Sequence, residues 1–149
     1  MNISTNEIRS AIATRIAELT GFQASRYPPE FFGRNPAPLS HLLYSVGIPS
    51  TTSAGGRQKP GESVQLNSRA NVKFAYRLKP TNAYPDSYDL ALAKERELIL
   101  KLVNAYTTIK SGLEVQFVNS SRTFENSFEY MIIDIQLYTF AFVLVVNFR

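Results

Sequence analysis

Hydrophobic and polar positions change period along this chain, and the changes mark its elements. Over 128–148, FEYMIIDIQLYTFAFVLVVNF, they alternate with the period of two that defines a strand, whose successive side chains point to opposite faces. One set, Met131, Ile133, Ile135, Leu137, Thr139, Ala141, Val143 and Val145, is apolar except for Thr139 and is expected to face the core. The opposite set starts polar, with Asp134 and Gln136, then turns apolar through Tyr138, Phe140, Phe142, Leu144, Val146 and Phe148. The second half of this strand therefore needs cover on both faces. Asp134, Gln136 and the many β-branched and aromatic residues argue against a membrane-spanning helix, although the run approaches the length of one.

The rest of the chain divides by the same logic. Ser4 and Glu7 have capping-box spacing, and Ile8, Ile12, Ile16 and Leu19 then follow one helical stripe up to a stop at Gly21. Prolines at 28, 29, 36 and 38 exclude a regular element from 22–38. Leu39 to Ile48 and Ala70 to Leu78 alternate as the two arms of a β-hairpin, with His41 on the first arm and Asn71, Lys73, Ala75 and Arg77 on the outer face of the second. Between them, Pro49 to Ser68 is rich in Gly, Ser, Thr and Pro and is expected to be a long flexible basic loop. A second helix is predicted over Asp86 to Tyr106, capped by Asp86 or Ser87, with Leu92, Leu98, Ile99, Leu102, Val103 and Tyr106 on its apolar side. Leu113 to Val118 is a short strand and Asn119 to Ser127 a polar turn. The pattern predicts one α+β domain over 1–149: an antiparallel or mixed sheet, two main amphipathic helices packed on one face, and a long-looped β-hairpin.

Composition sharpens this without changing it. The 149 residues include 44% hydrophobic and 19% charged, the profile of a globular chain. With no cysteine there is no disulfide, thiolate metal site or cysteine nucleophile, and the charged start MNISTNEIRSAIATRIAEL is not a secretory signal. The net charge is +4, and its excess lies between Pro49 and Pro80, where Arg57, Lys59, Arg69, Lys73, Arg77 and Lys79 face a single acid, Glu62. Such a segment suits an acidic protein surface or a phosphate backbone.

Candidate chemistry is sparse. The lone His41 has no cysteine with which to complete the usual zinc site and no triad by spacing. Gly55, Gly56, Arg57 and Lys59 lack the phosphate-loop pattern. Asp86, Asp89, Glu95 and Glu97, interleaved with Lys94, Arg96 and Lys101, suit a solvated helix face. No catalytic residue, metal site or cofactor is expected.

The first amphipathic helix, the hairpin ending in VKFAYRLKP, the approach AYPDSYDLALAKERELILKLVNAY and the closing SFEYMIIDIQLYTFAFVL together resemble the tail terminator, or tail completion, proteins of long-tailed bacteriophages. The resemblance spans nearly the whole chain and is one of layout. It implies a structural, non-enzymatic virion subunit, assembled in the host cytoplasm, that forms a homo-oligomeric ring, a hexamer on the family pattern. The ring caps the tail tube and meets a head or neck connector. Its partners are then further copies of itself, the tail tube protein and the connector protein, with DNA only as it passes through the channel and no membrane. On this basis Arg57 and Lys59 at the loop tip, with Arg69, Lys73 and Arg77 on the hairpin, would meet the tube end or line the DNA channel. Tyr138, Phe140, Phe142 and Leu144 would be covered by the second helix or by an adjacent subunit. A different head-tail connector or neck subunit and a nucleic-acid-binding module are the alternatives.

Overall fold

The computed structural model describes residues 4–32, 38–53, 63–78, 84–103, 113–125 and 129–144. In order the elements are α1 (Thr5–Ala17), β1 (Gln23–Ala24), a 3-10 turn (Pro29–Phe31), β2 (Leu43–Ser53), β3 (Ser63–Arg77), α2 (Tyr84–Val103), β4 (Leu113–Glu125) and β5 (Tyr130–Leu144). They build the expected α+β fold. One five-stranded mixed sheet has the order β1-β2-β3-β5-β4, antiparallel except where β1 runs parallel to β2.

The helices cover one face of that sheet. Ser4 Oγ accepts the Glu7 amide at 3.3 Å, as an N-cap should, and Ile8, Ile12 and Ile16 are buried below it. They share a core with Leu98 and Leu102 of α2 and with Val72, Phe74, Met131, Ile133, Ile135 and Leu137 of the two central strands. Each such side chain contributes roughly 1.5–3 kcal/mol through burial. Gly21 takes a φ of +94°, which suits glycine, and turns the chain so that Phe22 sets its ring edge-on against Phe74 at 5.4 Å.

The division of the final strand holds as far as its side chains are described. Met131, Ile133, Ile135, Leu137 and Thr139 are buried beneath the helices, while Asp134, Gln136, Tyr138 and Phe140 are half-buried on the other face. Val145, Val146 and Phe148 lie outside the described residues.

Several boundaries differ from the sequence expectation. The hairpin arms penetrate the stretch expected as loop: 49–53 and 63–68 are strand, held by a side-chain hydrogen bond between Thr51 and Ser68 at 2.8 Å. Threonine favours strands, and Pro49 is tolerated because the β2–β3 register shifts between Gly47 and Ser50. Residues 54–62 lie outside the described residues. The described part of the proline-rich stretch holds β1 and a 3-10 turn that starts on Pro29, both too short to leave a periodic pattern. Residues 119–125, expected as a turn, complete β4. Helix α2 starts at Tyr84, so Asp86 stands in its first turn and Ser87 one residue further along, neither of them as the cap, and Tyr106 lies outside the described residues. His41 is not in a strand. It sits in the turn before β2, where its Nδ1 accepts the Arg77 amide at 3.1 Å.

Candidate functional site

The sheet face away from the helices is where the sequence-predicted residues meet. On β3 the alternation sends Arg69, Lys73 and Arg77 to this face, and β5 answers with Tyr138 opposite Arg69, Asp134 opposite Lys73 and Tyr130 opposite Arg77. The described members of the cationic and aromatic sets, assigned separate roles from sequence, thus share one surface.

Three pairings organise it. The Arg69 guanidinium lies 5.0 Å from the centre of the Tyr138 ring and donates to the Tyr138 hydroxyl at 3.0 Å; the Phe140 ring stacks next, 6.2 Å away. At the middle of the face, burial pushes the Asp134 carboxyl above its ordinary value, against the opposing pull of Lys73 and of hydrogen bonds from Gln136 and Asn71. Asn71 Oδ1 is itself buried with no hydrogen-bond partner among the described residues. It rests over Gly47, where an added Cβ would come within 2.7 Å of it and 3.0 Å of Pro29 Cγ, so any larger residue would have to push these side chains aside. At the far end Arg77 forms an exposed ion pair with Glu129 at 3.0 Å, and Phe32, Ala75, Tyr130 and Ile132 close a small second cluster.

The cations do not converge. Four strand positions separate Arg69 from Lys73 and Lys73 from Arg77, roughly 13 Å per step at about 3.3 Å per residue. Arg57 and Lys59 lie outside the described residues. Phe142 and Leu144 pair through their backbones with Gln65 and Ser63, and their side chains lie outside what the structure describes. Cover by the second helix is corrected for Tyr138 and Phe140: α2 packs on the opposite face, over Met131 and Ile133.

The two edges of the sheet differ. At the start of β2, the carbonyls of Leu42, just before the strand, and of Tyr44 accept from Gln23 and Ser25 at 2.9 and 2.8 Å, Arg9 Nε donates to the Val46 carbonyl at 2.8 Å, and Pro49 has no amide to offer. Beyond Pro49, Ser50–Ser53 has no such guard among the described residues. On β4 all 13 residues form the outer strand, with neither proline nor lysine among them and with Phe117, Val118 and Phe124 exposed.

Sequence reasoning missed Glu95. It was placed on a solvated helix face, yet it is 4% exposed and clasped by both the Nε and an Nη of Arg122 on β4, the former at 3.0 Å. That hydrogen bond raises the Arg122 pKa further. The signal was spacing: Ala91, Glu95, Leu98 and Leu102 follow one buried stripe.

Among the described residues, no group of three His, Cys, Asp or Glu side chains is placed to hold a metal ion, and no helix is long and apolar enough to cross a membrane. In comparisons with known proteins, no family model matches the sequence, and no curated protein does either.

Proposed function

We propose that this chain is a structural virion subunit of the tail terminator kind, which forms a ring on the end of a phage tail tube and joins the tail to the head or neck. The observation that carries this reading is a sheet with one face free of α-helices and a 13-residue outer strand with no further strand beside it, among the described residues. A subunit that works through interfaces needs two such surfaces, one for its neighbours and one for the structure it caps. The open face, with Arg69, Lys73 and the Tyr138–Phe140 stack, suits the tube end or DNA in the channel. Virion location follows from this role.

The test is the native mass of the purified chain together with electron microscopy, alone and after mixing with tubes that lack a terminator. Rings that seat on tube ends are expected. A chain that stays monomeric at high concentration and ignores tubes contradicts the proposal, whereas rings that bind capsid portals but not tubes favour another connector or neck subunit.

The Arg69–Tyr138–Phe140 array also favours a second reading, a nucleic-acid-binding surface in which bases stack beside a cation. That reading requires DNA affinity of the isolated protein to fall steeply with salt.

A further inference from the structure

We infer that the seam between neighbouring copies is an antiparallel pairing of the first residues of β4, Leu113–Gln116, with the unguarded end of β2, Ser50–Ser53, of the next copy. This rests on the ring reading and names its contact.

The strand register carries the inference. Thr52 stands opposite Asn67, Asn67 opposite Phe140, and Phe140 opposite Glu114, so Thr52 and Glu114 lie at one height on the two edges and on the same face. Ser50 connects in the same way, through Arg69 and Tyr138, to Gln116. Two copies related by a rotation about an axis along the strands therefore bring these segments together with no axial shift. A head-to-tail contact closes into a ring when it has no axial shift and its rotation returns to the first copy, whereas one with a rise gives a filament.

Polarity and charge agree with this. From β2 through β3 and β5 to β4 every pair is antiparallel, so β2 and β4 run in opposite directions. Rotation preserves direction, and the new junction continues the antiparallel sheet. The acids on the open face of β4 are Glu114 and Glu125, and its one cation, Arg122, is turned to the other face and bound by Glu95. Ser50–Ser53 carries no acid to oppose Glu114, so two β4 edges would repel each other where β4 against β2 does not. The guarded stretch of β2, from Leu43 to Pro49, confines pairing to its free end.

The absence of cysteine makes the seam testable by disulfide trapping in the full chain. Directly opposed antiparallel residues have Cα atoms about 4.5–5.5 Å apart, within disulfide reach. Thr52→Cys combined with Glu114→Cys changes two exposed side chains and leaves the core untouched. After mild oxidation the double variant is expected to give a ladder of covalent multimers ending in one closed species on a non-reducing gel, while each single variant runs as monomer. Rings of normal native mass with no cross-link in the double variant overturn the seam but leave the ring reading standing. Covalent dimers from Glu114→Cys alone show β4 paired with β4 and also overturn it. An endless ladder refutes closure. Monomer by native mass as well as on the gel, with circular dichroism unchanged from the parent chain, removes both the seam and the ring.

Discussion

The two faces of the sheet are built from the same two central strands, β3 and β5, and yet are held by different forces. On the covered face, Val72, Phe74, Met131, Ile133 and Ile135 are shielded from water by Ile12, Ile16, Leu98 and Leu102. On the open face, the alternate residues of the same strands pair by charge and ring: Lys73 with Asp134, Arg69 with Tyr138, Asn71 with Gln136 as cross-strand neighbours. Burial of apolar area holds the first, and apolar side chains carry no charge for pH to change. Polar pairs near water hold the second, where desolvation and attraction nearly cancel, so that face contributes recognition more than stability.

The largest effect is therefore expected on the covered face. Phe74 is fully buried, and Phe74→Ala removes the ring against which Phe22 packs. It should cost about 3–5 kcal/mol in urea denaturation, a large share of the roughly 5–15 kcal/mol typical of a domain. A loss below about 1 kcal/mol would erase the distinction between the faces.

Arg122 tests an ionic contact on the covered face. Arg122→Ala leaves the buried Glu95 carboxylate without its partner, and because the arginine is itself 38% exposed the cost should be about 2 kcal/mol, less than for a fully buried pair. Replacing both residues, Glu95→Met with Arg122→Met, should restore much of that loss, since the cost lies in the stranded charge. If the double variant is as unstable as Arg122→Ala, packing rather than charge explains the pair.

Asp134 is expected to show the open face responding to pH. Burial raises its folded pKa above the ordinary 3.8, so the protonated acid fits the fold better than the carboxylate does. The stability contributed by this group is full below its unfolded value and is lost as pH rises through the folded one. Asp134→Asn should therefore become increasingly stable relative to the parent chain as pH climbs from about 4 toward neutrality. The parent chain gaining on the variant over that range would mean that Lys73 outweighs burial.

Much of the covered face was legible in the sequence, because burial imposes periodicity: the Ile8–Ile12–Ile16 stripe and the alternation from Met131 to Thr139 each place their residues without a structure. The parts that were hidden lack such a pattern. The second half of β4, NSSRTFE, is an edge strand wetted on both sides, so its polar run looks like a turn. Glu95 breaks an apolar stripe that its partner, 27 residues away, makes acceptable, and only the tertiary fold supplies that partner. The site was half legible: alternation put Arg69, Lys73 and Arg77 together, but the register that sets Arg69 against Tyr138 joins positions 69 residues apart.

Arg69 gives the smallest and most discriminating comparison. Its guanidinium is exposed, and its contacts are one ring and one hydroxyl on the adjacent strand. Exposed contacts of this kind are worth about 0.5–1 kcal/mol, so Arg69→Ala should shift the denaturation midpoint only slightly. Tyr138→Phe retains the ring beneath the cation and removes only the hydroxyl, so it should cost less still. Partner binding should reverse the ranking set by stability. If the open face meets a tube end or DNA, Arg69→Ala weakens that binding more than Arg122→Ala does, because Arg122 is spent on Glu95 on the far side of the sheet. A chain in which Arg69→Ala leaves every partner interaction intact has its working surface elsewhere, and the polar pairs of this face then serve only to keep an uncovered sheet in water.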